Sequence, residues 1–276
     1  MRIIKKEIIM EGRGDKYWEL IPIGDMHVGN INCDLDLAQS VCDYVEAKPN
    51  ALWIGMGDYA DAISPGEKRY NINSIDPVYN TADKQYKKIQ QMFEPIKDKC
   101  VGLLDGNHDT THAHYHHHNY VDTMAYNLGT DYLTIDAHIT LVFARGRAKS
   151  AVRMYAHHGW SSSRKAGGRV NNFNDMSDLF PMLDMYLMGH THDRGPIQPR
   201  TQLEVNDAGQ LVHKDMEFVF TGSYLKGYVD GTSSYIEAKA YKPTTLGAPI
   251  VYIEIDGRRD ADLTYSRPKF SFSAIP

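Results

Sequence analysis

Cysteine is scarce in this chain: three among 276 residues, Cys33, Cys42 and Cys100, with no C-x-x-C spacing. An odd, scattered set makes no disulfide framework and fits three ordinary thiols in a reducing cytosol. No apolar run approaches the roughly 18 residues a membrane helix needs. The basic start MRIIKKEIIMEGRGD carries an apolar stretch too short for a signal peptide. A cytoplasmic protein with no membrane partner is therefore expected. The formal net charge is -5, which excludes a whole-molecule basic field for gathering nucleic acid, although bound cations can supply positive charge locally. Internal repeats and linker-like composition are also missing, so residues 1–276 read as one domain. With 42% hydrophobic and 24% charged residues, a chain this long can bury its own core without staples.

Histidine, in contrast, is abundant: thirteen residues, strongly clustered. One arrangement recurs around them. A short apolar run ends abruptly in Gly, Asp, Asn or His. Tyr17–Gly24 leads to Asp25 and His27, Ala51–Gly57 to Asp58, and Val101–Gly106 to Asn107 and His108. Val152–Ala156 leads to His157 and His158, and Met185–Gly189 to His190 and His192. Short apolar runs closed by glycine predict buried strands. Between the first two, Leu35, Ala38, Val41 and Val45 recur at helical spacing behind Asp34, a plausible N-cap. Between the second and third, Tyr86, Ile89, Phe93 and Ile96 do the same, with Pro95 near the end. Strand–helix alternation predicts a parallel sheet with crossover helices, whose ligand sites gather beyond the carboxyl ends of the strands. Further on, Glu217–Tyr224 and Pro249–Ile255 predict strands, the second closed by a turn at Asp256–Gly257. Residues 223–248 read as long loops.

Five polar motifs thus stand in order: Gly24-Asp25-Met26-His27, Gly57-Asp58-Tyr59-Ala60-Asp61, Gly106-Asn107-His108-Asp109, His157-His158-Gly159 and Gly189-His190-Thr191-His192. Each alone is weak, but together they resemble the calcineurin-like metallophosphoesterases across about residues 17–195. The resemblance implies an α/β fold of two mixed β-sheets packed as a sandwich flanked by helices. It also implies two divalent metals: Asp25, His27, Asp58 and His192 around one, and Asp58 as the bridge. Asn107, His158 and His190 complete the second. A hydroxide held between the metals is the implied nucleophile. Such a mixed ligand set suits manganese first, with iron, zinc or nickel as alternatives. In the fourth motif His158 is chosen because it stands directly before the glycine, with His157 as the alternative. His108 is the implied catalytic group facing the substrate. Asp61 is expected to fix the His108 tautomer, or else to cap a loop. Asp109 is read as structural.

Ala62 stands where the protein phosphatases of this superfamily carry an arginine, and Asp109 replaces their glutamate. This turns the expectation toward a phosphodiester of a nucleotide or nucleic acid. The alternatives are a phosphomonoesterase acting on small molecules or phosphoproteins, and an inactive binding module. Inactive members usually lack a ligand or the substrate-facing histidine, whereas this chain keeps both. The tail from Gly222-Ser223-Tyr224, then Tyr235 to Gly247, resembles phage and bacterial phosphoesterases. Arg164, Lys165 and Arg169 read either as a basic loop suited to phosphates or as a plain mobile loop, and Tyr224, with Tyr228, Tyr235 and Tyr241, either as a surface for stacking on bases or as core packing and edge capping. The cluster His112, His114, His116, His117 and His118 reads either as a substrate-facing segment or as solvated surface, with His112 and His116 on one helix face.

Overall fold

A computed structural model describes residues 1–10, 17–160, 163, 165–205, 208–232, 234–255 and 268–275. Two mixed β-sheets pack face to face with helices on both outer faces. One sheet has the order β13 (Lys269–Ala274), β12 (Pro249–Glu254), β2 (Tyr17–Ile23), β3 (Ala51–Gly55), β4 (Cys100–Leu104) and β5 (Tyr132–Thr134). Its strands β2 to β5 pair in parallel, and β12 joins β2 antiparallel. The other sheet runs β1 (Arg2–Ile9), β6 (Asp136–Arg145), β7 (Ala148–His157), β8 (Met185–Met188), β11 (Leu211–Thr221) and β10 (Arg200–Val205), with β9 (Arg194–Pro196) on β11.

Period-two alternation divides the side chains between layers. On β8, Met185 and Leu187 enter the core between the sheets, while Tyr186 and Met188 face outward. On β2, Leu20 faces the other sheet, and Ile21 and Ile23 face the helices. The helices α1 (Leu35–Ala47), α2 (Ala82–Phe93) and α4 (Tyr120–Leu128) cover the first sheet through Val41, Ile89 and Met124. Asp34 caps α1, accepting from the Leu37 N–H at 3.2 Å. On the other sheet, α5 (Ala166–Leu179) buries Phe173 and Met176 against Tyr155 and Phe218. The described residues of 223–248 are loop except for the single turn α6 (Tyr235–Ala238). The Asp256–Gly257 turn expected from the sequence lies outside the described residues.

All three cysteines are free, their thiols pushed up to about 12 by burial. No helix among the described residues is long and apolar enough to cross a membrane.

Candidate metal centre

The parallel strands β2, β3 and β4 end at the same edge of one sheet, and the parallel pair β7 and β8 end at the facing edge of the other. The five polar motifs begin at these ends, so their side chains meet at the rim of the sandwich. The loops touch there. Asp25 N–H donates to the Gly57 carbonyl at 2.9 Å and His27 N–H to the Asp58 carbonyl at 3.1 Å. A Cβ on Gly106 would collide with the Asp58 carboxylate and amide, so the third loop approaches the second through glycine.

Backbone strain concentrates at the same place. Ten non-glycine residues among those described have positive φ, and five are ligand candidates: Asp25 (49°), His27 (52°), Asp58 (50°), His190 (64°) and His192 (60°). Each left-handed residue costs about 1–3 kcal/mol and persists only where its surroundings over-determine it, as functional sites commonly do.

Three groups of metal-binding side chains result, each with its ligand atoms within 4.8 Å of one another: Asp25, His27 and His192; His27, Asp58 and His108; Asp58, His158 and His190. His27 Nε2 and His192 Nε2 face each other at 3.2 Å, with Asp25 Oδ1 at 4.0 Å and 3.4 Å from them. Asp25 Oδ1 is buried without a hydrogen-bond partner. On the other side, His158 Nε2 lies 3.4 Å from Asp58 Oδ2. Asn107 Oδ1 lies 3.2 Å from His158 Nε2 and 2.7 Å from His190 Nδ1. With its oxygen inward, Asn107 points an acceptor at a carboxylate and two imidazole nitrogens. Turned over, its NH₂ donates to Asp58, His158 and His190 instead. Acceptor atoms converging on one another, with the buried Asp25 Oδ1 unpaired beside His27 and His192, are the donor set a divalent cation requires, so these residues fit divalent metal.

The electrostatics agree. Burial would push the Asp58 carboxyl up, but His158 and His108 hold it well below its ordinary range. Burial opposes charge on His158, yet Asp58 beside it lifts that imidazole to about 10. The site gathers a proton where a cation would serve. Burial lowers His27 and His190, which favours the neutral imidazole that ligates metal.

Supporting contacts fix the rings. His158 Nδ1 meets the Met56 carbonyl at 2.7 Å, which directs Nε2 into the site. His157 turns away: its Nδ1 accepts from Gly159 N–H at 2.7 Å and its ring packs edge-on against Trp160. Asp109 takes the structural place expected for it, accepting from the N–H groups of Gly106 and Asp58 at 2.8 and 2.7 Å and capping α3 (Asn107–His116). Burial and the nearby Asp58 raise its carboxyl to about 7, and the hidden Tyr86 hydroxyl donates to it. Tyr86, Asn30, which donates to Asp61 at 3.3 Å, and the Met56 carbonyl all escaped sequence reasoning. Only tertiary folding brings them to the site, and no local signal marks them.

Asp61 divides its work differently from the sequence expectation. Its backbone carbonyl, not its carboxylate, takes His108 Nδ1, at 2.6 Å. The carboxylate stands 3.4 Å from His27 Nδ1 and 3.7 Å from His108 Nδ1. It therefore buttresses His27, and Asp61 is a positioning residue. The His108 ring sits edge-on to His27 at 4.7 Å.

The outer candidates diverge. Tyr224 is corrected: it is fully buried in the core against α1, so its ring cannot stack on a substrate. Its N–H and the Ser223 hydroxyl instead hold the Asp25 carbonyl at 3.0 and 2.9 Å. Arg169 lies beside His190 and His192 but pairs with Asp193. Lys165 is exposed at the start of α5, and Arg164 lies outside the described residues. His112 and His116 do share a face of α3, stacked at 4.3 Å, and His116 bonds Ser64 Oγ at 2.6 Å. No ligand cluster among the described residues includes them.

No family model and no curated protein matches this sequence. Among solved structures, it is similar to a conserved uncharacterized protein from Streptococcus pneumoniae TIGR4 described as a predicted phosphoesterase. Identity is 15% over 94% of this chain and 90% of that one, with a TM-score of 0.34. Vacuolar Protein Sorting 29 from Cryptosporidium parvum matches at 14% identity over 95% and 99%, with a TM-score of 0.36. Wild-type Vps29 complexed with Zn²⁺ from Entamoeba histolytica matches at 12% over 93% and 98%, with a TM-score of 0.32. Likeness this slight leaves the functional case to the geometry of the site.

Proposed function

We propose that this chain is a phosphoesterase that uses two divalent metals, manganese foremost, to hydrolyse a phosphodiester of a nucleotide or nucleic acid. The observation that carries the reading is the buried Asp58. It belongs to two of the three ligand groups, one with His27 and His108 and one with His158 and His190, and it shares His27 with the Asp25 group, where a carboxylate serving neighbouring metals would stand. Metals held there supply Lewis acidity to a phosphoryl oxygen and lower the pKa of water toward neutrality.

The protein's own groups supply the rest. Asp25, His27 and His192 would hold one metal and Asn107, His158 and His190 another, with the Asp58 carboxylate within reach of both groups. His108, fixed through Nδ1 by the Asp61 carbonyl, leaves Nε2 to meet the substrate. In its imidazolium form, protonated on both nitrogens, it can donate from Nε2 to a phosphoryl oxygen or give that proton to the leaving oxygen as the P–O bond breaks. Ala62 is buried with its N–H on Gln85 Oε1 at 2.9 Å, so that position offers no cation for a second phosphate charge. A diester carries one charge fewer than a monoester and needs less of that help.

The test is hydrolysis of bis-p-nitrophenyl phosphate and p-nitrophenyl phosphate with Mn²⁺. A higher kcat/KM for the diester is expected. A clear preference for the monoester moves the protein to phosphomonoesterase, and no turnover of either, or of single-stranded DNA, leaves a binding module.

A further inference from the structure

A cavity of about 480 Å³ opens directly from the candidate metal centre. His190 and His192 form its inner end, and residues 240–245, after α6, form its far wall. A space of this size takes a nucleotide-sized group beyond the one being hydrolysed.

Its charge is one-sided. The lining carries three cations, Arg169, Arg194 and Lys242, against one carboxylate, Asp193. Asp193 is already engaged with Arg169. Arg194 spends its guanidinium on two backbone carbonyls, those of Leu246 and Ile275, and no salt bridge among the described residues includes it. Lys242 is exposed on the far wall with no partner among the described residues. Thr191, between the two histidines, contributes a buried hydroxyl oxygen without a hydrogen-bond partner. A neutral alcohol leaving group would gain nothing from two uncompensated cations, whereas an anion would be drawn in and desolvated between them.

Resting on the phosphodiesterase reading, we propose that this cavity is a subsite for a second, non-scissile phosphate, with Lys242 and Arg194 as its charged contacts. The substrate class is then a nucleotide chain with phosphates on both sides of a sugar, rather than a diester with one phosphate. Lys242 supplies the mobile ammonium, Arg194 a fixed field from the rim of β9, and Thr191 a hydroxyl at the inner end.

Binding separates this proposal from catalysis. Thymidine 3′,5′-bisphosphate and thymidine 5′-phosphate are titrated calorimetrically into the Mn²⁺-loaded full chain, with bis-p-nitrophenyl phosphate hydrolysis measured alongside. The bisphosphate should bind about tenfold more tightly at low salt, as one charge-assisted contact implies. That advantage should shrink as salt rises from about 50 to 200 mM. Lys242→Glu should bring the two ligands to within about twofold. The side chain is exposed, so the variant should fold, and an unchanged thermal melt checks this. Equal affinities in the wild type, or a preference that survives Lys242→Glu, overturns the subsite. A preference without any diester hydrolysis sustains the subsite and defeats the proposed function. Hydrolysis without a preference does the reverse.

Discussion

Asp61→Asn separates two roles that proximity alone would merge. The change removes the negative charge 3.4 Å behind His27 Nδ1 but keeps the main-chain carbonyl that holds His108 Nδ1 at 2.6 Å. His27 should therefore lose basicity and orientation while His108 keeps its tautomer. Removing a carboxylate behind a metal-bound histidine weakens metal binding by roughly 10–100-fold. The 3.4 Å contact is long and His27 Nδ1 lacks a well-aligned hydrogen bond, which argues for the lower end, about tenfold or 1.4 kcal/mol. The assay is diester hydrolysis as a function of Mn²⁺ concentration. Half-saturation should move up about tenfold, with the plateau rate lowered by less than about threefold. A plateau that falls while half-saturation stays fixed would refute this, because the carboxylate would then be acting through His108.

His108→Gln should show the opposite pattern, keeping both metals and losing about 10²–10⁴-fold in kcat, with a smaller loss for a substrate whose leaving group needs no proton; loss of metal on elemental analysis would make His108 a ligand. Tyr224→Phe removes a buried hydroxyl that has no hydrogen-bond partner, so stability should rise by about 1 kcal/mol, or roughly 2–4 °C in Tm, with diester turnover maintained. A Tm that falls, or a raised KM, would show that the hydroxyl has a partner or reaches substrate.

The inner site was legible because its chemistry interrupts its own strands. Runs such as Met185–Met188 stop at a glycine followed by polar residues that a buried strand cannot hold, so both strand and candidate ligand are marked by one local contrast. The helix α1 was legible for a similar reason, Asp34 and the buried Ala38, Val41 and Val45 agreeing on its start and face. The helix α5 was hidden. Gly167 and Gly168 open it, its stretch AGGRVNNFNDMSDL is weakly patterned, and what holds it is burial of Phe173 and Met176 against the distant Tyr155 and Phe218. The edge strand β1 alternates only partly buried and exposed residues and is fixed by parallel pairing with β6, more than a hundred and thirty positions away. Tyr224 failed for a related reason. A tyrosine in a Gly- and Ser-rich segment has the same composition whether it faces solvent or anchors a loop, and only the tertiary burial of its ring in the core decides. For Asp61 the contact to His108 runs through the main-chain carbonyl rather than the expected carboxylate, because sequence cannot tell one oxygen of a residue from another.

Metal stoichiometry tests the central claim most directly. The wild-type chain, stripped with chelator and dialysed against saturating Mn²⁺, should bind two ions by calorimetry and elemental analysis. Asp58→Asn should weaken both sites together, since its carboxylate belongs to both the His27 group and the His158–His190 group. One ion at most in the wild type, or an Asp58→Asn chain that loses one site and keeps the other at full affinity, would contradict a shared dinuclear centre.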